Sequence, residues 1–344
     1  MIAITGGGTG GHLVIAQAIK RELNKRGIKP IYIGSSAGQD KTWFEHDTGF
    51  EAVYFLESKG VVNKKGLQKI NALFAILKAT FTCKDLFKKH TIHTVFSVGG
   101  YSAAPASLAA LLLQKPLFIH EQNAIKGKLN TLLKPFAKAF FSSYEKDATF
   151  TNYPVNEAFF DTYRVRERLQ SIIFLGGSQG ATFINALAMK IAKTLHVKGI
   201  HIIHQTGQKE FESLKNFYET EGIPADVFAF SQQMPHELSK ADFAISRSGA
   251  STLWELCANG LPALFIPFPH AAANHQYFNA KSLQEKGLAL IEEQKSLIPE
   301  TILSQIEALD LESISSALRA TIHKGGAADI VDYLLHNIPR RPSC

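Results

Sequence analysis

A strand, a glycine-rich loop and a helix follow one another twice in this chain. The first set runs from an apolar strand at 2–5 through the loop 6–12 into a helix predicted over 13–26. The second runs from a strand at 171–175 through the loop 176–180 into a helix predicted over 182–195. Glycines let the backbone of such a loop approach a phosphate, and the following helix directs its unpaired N–H groups at it. The repeat predicts two α/β domains, each built around its own loop.

Short apolar runs alternate with helical patterns along the rest of the chain. Strands are predicted at 30–34, 52–55, 94–98, 116–120, 139–142, 200–204, 227–230, 243–245 and 263–266, and helices at 67–89 and 125–133. This alternation is typical of parallel sheets covered by helices on both faces, and 344 residues suit two domains. We expect an α/β fold of two doubly wound, Rossmann-like domains that face a cleft and are linked near residues 153–155.

Composition argues against some classes of protein but does not identify a single class. A net charge of +7 favours an anionic partner, which leaves nucleic acid, an anionic membrane and phosphorylated small molecules open. Three cysteines without Cys-x-x-Cys spacing argue against a disulfide framework or a zinc site and favour a reducing cytoplasm. We expect no signal peptide, and the apolar stretches 103–113 and 261–268 are too short to span a bilayer.

The first glycine loop formally matches a dinucleotide fingerprint, since Gly6, Gly8 and Gly11 have the spacing G-x-G-x-x-G. That interpretation also requires an acid near the end of the second strand, where the chain reads Ile33-Gly34-Ser35-Ser36. The missing acid weakens a nicotinamide-binding hypothesis, while a tight turn without a ligand stays an alternative. His12 begins the following helix, whose positive amino end favours a neutral imidazole that can accept a proton. A histidine that only packs there is the competing interpretation.

Four further runs of small or polar residues follow predicted strands. They are 99–102, 120–123, 246–252 with Glu255 one turn later, and 267–276. We expect 120–123 to line a cleft, although an ordinary polar loop remains possible, and Ser251 and Thr252 to start a helix. No cluster has metal-ligand spacing and no Asp-x-Asp is present, so we expect no metal.

Residues 59–89 combine eight lysines with a single acid, Asp85. Apolar residues recur within this segment at helical spacing, from Leu67 to Phe81. A basic amphipathic helix of this kind can lie on an anionic membrane. An ordinary surface helix that packs its apolar stripe against the sheet is the alternative.

Taken together, these motifs resemble the MurG family of peptidoglycan N-acetylglucosaminyltransferases. The matching stretches occur in the family's order over nearly the whole chain: 6–12, 99–102, 120–123, 176–181, 247–250 with Glu255, and 274–276. The resemblance implies a GT-B fold with an acceptor domain at 1–156 and a donor domain at 157–323. It also implies that a last helix at about 324–344 packs back on the first domain.

The resemblance further implies an inverting transfer of GlcNAc from UDP-GlcNAc to the C4 hydroxyl of the muramyl sugar of lipid I, which yields lipid II. The reaction would be a single displacement without a cofactor or a covalent intermediate. The partners would be UDP-GlcNAc, lipid I and an anionic membrane surface, not nucleic acid. The location would be peripheral, at the cytoplasmic face of the inner membrane.

Residue roles carry over from the family motifs to matching positions. The general base would be His12, with Glu121 as second choice. Donor contacts would come from Thr9, Gly10, Gly11, Asn123, Ser178, Gln179, Gly180, Ser231, Arg247, Ser248, Gly249, Ala250, Ser251, Thr252, Glu255, His275 and Gln276. Acceptor contacts would come from Gly8, Gly99, Gly100, Tyr101, Ser102 and His120. Membrane contacts would come from Lys64, Lys65, Lys69, Leu73, Phe74, Leu77 and Phe81.

The chain departs from the family pattern at a few positions. An arginine that commonly follows the linker's Asn-Pro-Val is replaced by Asn156, so we ask whether Arg164 or Arg166 substitutes for it. Val14 and Ile15 replace a Phe-Pro pair, and Ser231 replaces an apolar residue near the uracil. Three alternatives stay open: a nucleotide-dependent oxidoreductase, a membrane-bound scaffold, and another UDP-sugar transferase on the same fold.

Overall fold

The chain forms two compact units in a computed structural model that describes residues 1–58, 60, 66–177 and 180–338. Unit 1 comprises Met1–Pro154 and the described chain from Gly325 onward, and unit 2 comprises Val155–Lys324. The chain therefore passes between the units after Pro154 and again after Lys324. None of the helices in the described ranges is long and apolar enough to cross a membrane.

Unit 1 is built on a parallel six-stranded sheet of order β3-β2-β1-β4-β5-β6. Its strands are β1 (Ile2–Thr5), β2 (Ile31–Ser35), β3 (Ala52–Leu56), β4 (Thr94–Ser97), β5 (Leu117–Glu121) and β6 (Ala139–Ser142). Its helices are α1 (Gly10–Lys25), α2 (Asp40–Phe44), α3 (Gly66–Lys89), α4 (Ala104–Leu112), α5 (Lys128–Leu133) and, at the end of the chain, α14 (Gly326–His336). Strands such as β1 are buried along their whole length, which explains their continuous apolar sequence.

The C-terminal helix α14 belongs to the packing of unit 1. It lies against α1, where the Nη2 atom of Arg26 is 2.7 Å from Oδ1 of Asp332. On the sheet side, the ring of Tyr333 packs in a T-shaped arrangement with the rings of Phe118 and Phe141. The last helix therefore completes a core whose strands come from the first half of the chain.

Unit 2 repeats this architecture with a second parallel sheet of order β12-β11-β10-β7-β8-β9. Its strands are β7 (Ser171–Leu175), β8 (His201–Gln205), β9 (Ala225–Phe228), β10 (Phe243–Ser246), β11 (Ala263–Phe265) and β12 (Leu290–Ile291). Its helices are α6 (Ala158–Asp161), α7 (Thr182–Val197), α8 (Phe211–Thr220), α9 (Met234–Lys240), α10 (Ala250–Asn259), α11 (His275–Gln284), α12 (Pro299–Glu307) and α13 (Leu311–Ala320). Read from its own first strand, each sheet has the same order.

The predicted α/β class with two doubly wound sheets is confirmed. Three predicted helix starts were wrong. α1 begins at Gly10 rather than at residue 13, α5 begins at Lys128 rather than at 125, and α10 begins at Ala250 rather than at Ser251 or Thr252. Glycines have low helix propensity, so a sequence pattern places the start of α1 after them, whereas packing extends the helix through them.

Candidate active site

Each sheet has one point where its strand order reverses, and glycine loops follow the strands there. In unit 1 this point lies between β1 and β4, whose last residues Thr5 and Ser97 are paired. In unit 2 it lies between β7 and β10, where Leu175 pairs with Ser246. Ligands of open α/β sheets bind beyond the carboxyl ends of the strands at such points. Both units therefore carry a candidate site at the same place in their topology.

The two glycine loops of unit 1 interlock. The N–H of Gly7 donates to the carbonyl oxygen of Gly99 at 3.2 Å. A Cβ atom on Gly6 would lie 2.4 Å from the Gly99 oxygen, and one on Gly100 would lie 2.3 Å from the Gly7 oxygen. Glycine is thus required on both sides of this contact. The contact also places the amino end of α1, a natural anion site, directly after the interlocked loops.

His12 lies half-buried in the first turn of α1. Its Nδ1 atom is 2.9 Å from the hydroxyl oxygen of the exposed Thr9. When Nδ1–H donates to this oxygen, Nε2 carries the lone pair, which is the tautomer that a general base requires. Gly8, Gly10, Gly11 and Asn123 are half-buried.

Two of the predicted acceptor contacts, His120 and Ser102, have side chains that are buried inside unit 1. His120 is a residue of β5 with 1% exposure, and burial, followed by the charge of His12, lowers its pKa to about 3. Ser102 has 1% exposure as well. His120 thus lies in a strand rather than in a polar loop, and the acceptor contacts predicted for both residues stay predictions.

Glu121 is also part of β5, and its carboxylate is occupied by the protein. It accepts hydrogen bonds from the N–H of Asn123 at 3.0 Å, the N–H of Gly127 at 2.9 Å and Nδ2 of Asn130 at 2.9 Å. The residue has 2% exposure. A buried carboxylate with three donors holds the loop before α5 in place, and this geometry does not suit a general base.

Tyr101 packs on the first glycine loop. A Cβ atom on Gly8 would lie 2.5 Å from the tyrosine ring, and the tyrosine hydroxyl donates to the carbonyl oxygen of Ala37. The hydroxyl of Tyr101, a predicted acceptor contact, thus joins the chain after β2 to the glycine loop.

Sequence reasoning missed one residue beside this loop. Asp40, the first residue of α2, is fully buried and accepts hydrogen bonds from the N–H groups of Gly8 and Ser35. The acid that seemed to be missing after the second strand is therefore present slightly later, and it faces backbone. No periodicity marks it, since it follows a short polar loop.

In unit 2, the loop after β7 approaches the chain after β8. A Cβ atom on Gly180, whose φ is +76°, would lie 2.4 Å from the carbonyl oxygen of Thr206. Two predicted donor contacts in this loop, Ser178 and Gln179, lie outside the described residues. α7 begins two residues after Gly180, so its amino end also points at this loop.

Arg247 ties together the loops of unit 2 that follow β10 and β11. Its Nη1 atom donates to the carbonyl oxygens of Ile266 at 3.0 Å and Pro267 at 3.2 Å. The guanidinium lies over the rings of Phe183 and Phe268, at 5.8 Å and 5.6 Å from their centres. Burial lowers the pKa of Arg247 to about 10, so the group stays charged at neutral pH.

The chain after Arg247 contains both buried and open positions. Ser248 has no exposed surface, and the donor contact predicted for it stays a prediction. Ala250 and Ser251 are buried in α10, and Thr252 is half-buried. Gly249 has an ordinary φ of −62°, and no atom lies within 4 Å of the Cβ position that it lacks. Nothing in the described structure requires glycine there, whereas a ligand that approaches the backbone would.

Glu255 lies one turn into α10. The residue as a whole is half-buried, but its carboxyl group lies deep enough that desolvation raises its pKa to about 7. No hydrogen bond or ion pair satisfies this carboxyl among the residues that the structure describes. It is thus able to receive hydroxyl donors from a ligand.

The loop before α11 stores backbone strain. Ala273 and Asn274 both adopt left-handed conformations, with φ of 50° and 52°. Nδ1–H of His275 donates to the carbonyl oxygen of Ala272 at 2.9 Å, and Oε1 of Gln276 accepts from the N–H of Phe268 at 2.9 Å. Strain of this kind is common where a loop is shaped for a ligand.

Ser231, another predicted donor contact, lies half-buried in the loop after β9, and its hydroxyl accepts from the N–H of Gln233 at 3.0 Å.

Both arginines considered as substitutes at the linker make hydrogen bonds within unit 2. Arg166 is fully buried and donates to Asn259 and to the carbonyl oxygens of Leu238 and Ala241. Arg164 donates to the carbonyl oxygen of Ser239 at 2.7 Å and pairs with Asp242 at 2.6 Å. Both guanidinium groups thus fix the chain that enters unit 2.

One face of α3 leaves large apolar side chains in solvent. Its buried residues are mostly small, and the exposed side chains are Leu67, Ile70, Leu73, Phe74, Leu77 and Phe81, each 50% to 78% accessible. We call these six residues the α3 face. The alternative that the stripe packs against the sheet was therefore wrong. Lys69 is exposed beside the face, while Lys64 and Lys65 lie outside the described residues.

Among the described residues, no group of three histidine, cysteine, aspartate or glutamate side chains is placed to hold a metal ion.

Comparisons with known proteins relate both units to one family. Residues 2–142 match the family described as "Glycosyltransferase family 28 N-terminal domain", and residues 171–334 match "Glycosyltransferase family 28 C-terminal domain". A relative from Campylobacter fetus is 54% identical over 335 residues, which cover 97% of this chain and 99% of the relative. It is named "UDP-N-acetylglucosamine--N-acetylmuramyl-(pentapeptide) pyrophosphoryl-undecaprenol N-acetylglucosamine transferase". A relative of the same name from Helicobacter hepaticus is 50% identical, with 97% and 98% of the two chains covered.

Solved structures show the same relationship. The crystal structure of MurG from Acinetobacter baumannii superposes with a TM-score of 0.80 at 29% identity, covering 98% of this chain and 99% of that one. The calicheamicin glycosyltransferase CalG4 shares the fold with a TM-score of 0.69 at 14% identity, covering 97% of each chain. The predicted GT-B class is confirmed, and so is the family predicted from the motifs. The chain therefore belongs to glycosyltransferase family 28 and, within it, to the MurG family.

Proposed function

We propose that this glycosyltransferase moves GlcNAc from UDP-GlcNAc to the C4 hydroxyl of the muramyl sugar of lipid I, forming lipid II with inversion. The observation that carries the proposal is the identity of 50% to 54% with transferases named for this donor and acceptor, over 97% of the chain. A glycine-lined point of strand reversal in each unit supports it, since the reaction needs two phosphate-linked sugars.

Unit 1 would bind the acceptor. Its interlocked loops at Gly7–Gly8 and Gly99–Gly100, followed by the amino end of α1, suit a diphosphate. His12 would then take the proton of the C4 hydroxyl at Nε2 while Nδ1–H donates to Thr9. The hydroxyl oxygen would attack the anomeric carbon in one displacement, and UDP would leave with the bonding electron pair.

Unit 2 would bind most of the donor. The open backbone at Gly249 would meet nucleotide atoms, and Glu255 would accept hydrogen bonds from the two ribose hydroxyls. The amino end of α7 would stabilise the negative charge that develops on the departing UDP. Thr9, Gly10, Gly11 and Asn123 of unit 1 would add donor contacts, as would Ser231, His275 and Gln276 of unit 2.

The α3 face would place the protein at an anionic membrane, where a lipid-linked acceptor resides. Six exposed apolar side chains next to lysines fit the pattern of an interfacial helix. The protein would therefore be peripheral, at the cytoplasmic face of the inner membrane.

The test is UDP release when UDP-GlcNAc and lipid I are supplied to the wild type and two variants. His12→Ala is expected to lower kcat by about 100-fold or more, the usual share of a general base. Glu255→Ala is expected to raise the KM for UDP-GlcNAc by about tenfold, since two hydrogen bonds to the ribose disappear.

The exposed His46, replaced by alanine, serves as a matched control and should leave both constants unchanged. A wild type that releases no UDP with lipid I would end the central proposal. Full activity of His12→Ala would remove only the assignment of the base.

A further inference from the structure

Asp40 is a buried carboxylate to which nothing above assigns a role in the reaction. It has no exposed surface, and both oxygens accept hydrogen bonds from backbone: Oδ1 from the N–H of Gly8, and Oδ2 from the N–H of Ser35 at 2.8 Å. No cation pairs with it among the described residues. Burying a carboxylate without an ion pair is costly, so these two amide donors must offset much of its lost hydration.

The space around Asp40 is shaped by glycines. A Cβ atom on Gly7 would lie 2.6 Å from Oδ1, and one on Gly34 would lie 2.7 Å from Oδ2. Glycine at these two positions therefore admits the carboxylate between β2 and the first glycine loop. Position 7 therefore needs glycine because a side chain there would collide with Asp40, in addition to any requirement of the loop's own backbone conformation.

Two tyrosines complete the arrangement. The hydroxyl of Tyr32 donates to the carbonyl oxygen of Gly6 at 2.8 Å, and that of Tyr101 donates to the carbonyl oxygen of Ala37. Burial and then the negative charge of Asp40 raise the pKa of Tyr32 well above its ordinary value, and the same two causes raise that of Tyr101. Both hydroxyls thus keep their protons and remain donors. Gly6 and Gly8 are consequently held by side chains from outside the loop.

We propose that Asp40 is the positioning residue of the acceptor loop, which it anchors through Gly8 so that the first turn of α1 presents its N–H groups and His12 to the acceptor. The inference rests on the function proposed above, because it assumes that unit 1 binds the acceptor. A negative charge beneath a loop that binds a diphosphate opposes binding by itself. The benefit of Asp40 must therefore lie in the geometry that it gives the loop. The proposal thus predicts that removing the charge weakens acceptor binding, whereas an effect of charge alone predicts tighter binding.

The variant Asp40→Asn distinguishes an effect of the negative charge of Asp40 from an effect of the loop geometry that Asp40 maintains. An asparagine has one side-chain oxygen, so its NH2 group would face the N–H of either Gly8 or Ser35, donor against donor. If only charge mattered, the variant would bind an anionic acceptor more tightly. We expect instead that kcat/KM for lipid I falls by about tenfold or more, as when a charge-assisted hydrogen bond is lost. The affinity for UDP, measured by calorimetry, should fall by a smaller factor, because unit 2 makes most of the donor contacts and only Thr9, Gly10 and Gly11 follow the anchored loop.

Asp47→Asn is the matched control. Asp47 lies in the same unit, pairs with Lys20 and accepts from the N–H of Gly49 at 2.9 Å, but it does not touch a glycine loop. This variant should lose stability while its kcat and KM for lipid I stay unchanged. Tyr32→Phe is the milder second variant in case Asp40→Asn does not fold, and it should lower kcat/KM for lipid I by about threefold through the loss of one hydrogen bond.

A glycine-selective ¹⁵N spectrum gives a readout that does not depend on turnover. The Gly8 amide proton should lie downfield in the wild type and move upfield in Asp40→Asn, whereas Asp47→Asn should move Gly49 and leave Gly8 in place. Unchanged acceptor kinetics in both Asp40→Asn and Tyr32→Phe would overturn the proposal, as would an equal loss of UDP affinity. Absence of turnover in the wild type would instead refute the proposed function, and the Gly8 resonance would still report whether Asp40 holds the loop.

Discussion

The carboxyl of Glu255 changes its ionisation state within the physiological pH range. Desolvation raises its pKa to about 7, so the carboxyl is about half protonated at neutral pH before a ligand binds. Only the ionised form accepts hydrogen bonds from both ribose hydroxyls with full strength. Binding of the donor should therefore favour the ionised form and release a proton.

We expect the affinity for UDP-GlcNAc to rise as pH rises through about 7. Between one pH unit below and one above this pKa, the dissociation constant should fall by about tenfold if only the ionised carboxyl binds. UDP-GlcNAc is the suitable ligand, because its doubly esterified diphosphate has no titration in this range, and calorimetry measures the constant without turnover. Glu255→Gln should bind more weakly and lose this pH dependence. A wild-type constant that is flat with pH would contradict the role given to Glu255.

The ionisation of Glu255 is expected to affect stability in the opposite direction to donor affinity. A carboxyl whose pKa is raised on folding favours the folded state at low pH, and this contribution is lost as pH rises from its ordinary value toward about 7. The ligand-free protein should thus be less stable at neutral pH than Glu255→Gln, and thermal unfolding without a donor would show the difference. A variant that is less stable than wild type at neutral pH would contradict the raised pKa.

Gly249 offers a test of ligand approach that leaves the fold intact. Its φ of −62° suits any residue and no atom occupies the Cβ position, so Gly249→Ala should change the free energy of unfolding by less than about 1 kcal/mol. The new methyl group would stand where the donor meets the backbone, and affinity for UDP-GlcNAc should fall by about tenfold.

Gly127→Ala is the control for this change. Gly127 precedes α5 with the same φ of −62° in unit 1, and a Cβ atom there makes only an ordinary contact with Glu121. Its replacement should leave donor affinity unchanged. Equal donor affinity in Gly249→Ala and wild type would mean that the donor stays clear of this backbone.

At the residue scale, sequence patterns predicted which loops form the candidate site better than they predicted which of its side chains are exposed. The loops at Gly7–Gly8 and around Gly249 follow strands, and their place at the carboxyl ends followed from chain order alone. The burial of His120, Ser102 and Ser248 did not follow from chain order, because residue type does not reveal which way a side chain points at the end of a strand. Asp40 escaped notice for a related reason, since only the fold brings it under Gly8.

At the element scale, α3 stands out because large apolar side chains on one of its faces are exposed to solvent. This helix exposes six large apolar side chains, whereas four of its seven buried residues are small, which is unusual for a surface helix. Each large side chain that enters a lipid interface contributes about 1.5 to 3 kcal/mol, and each nearby lysine adds about 1 kcal/mol on an anionic surface.

Phe74→Glu should therefore weaken binding to vesicles that contain phosphatidylglycerol by at least about tenfold, measured by co-sedimentation. Turnover of a short-chain, water-soluble acceptor should not change, because α3 is not placed in the reaction. Val197→Glu, at another exposed apolar side chain on α7 in unit 2, is the control and should bind vesicles like wild type. If both variants bound vesicles equally well, the α3 face would not be the membrane contact.

The strands were predicted to within a few residues because each is a short apolar run between turn residues. Helix starts were predicted less well, as at Gly10 and Ala250, since packing overrides the low propensity of glycine and the capping preference of serine. The two-residue strand Leu290–Ile291 was not predicted, because it is too short for any periodicity to show.

At the scale of the whole molecule, one pattern used twice explains most of the architecture. Two sheets of the same strand order each place a glycine loop at the reversal of that order, so the repeat seen in the sequence predicted both units and both candidate sites. The side chains that hold the loops at this point of the sheet differ between the units. In unit 1 it is Asp40 with Tyr32 and Tyr101, and in unit 2 it is Arg247 between two phenylalanines.

The place of α14 has a consequence for how the chain is made. Unit 1 needs this helix to cover α1 and to surround Tyr333, yet α14 is the last described element of the chain. During synthesis, all of unit 2 leaves the ribosome before the final piece of unit 1 does. Unit 1 therefore stays incomplete, with part of its core uncovered, until α14 has been synthesised, whereas unit 2 has its whole sequence available first.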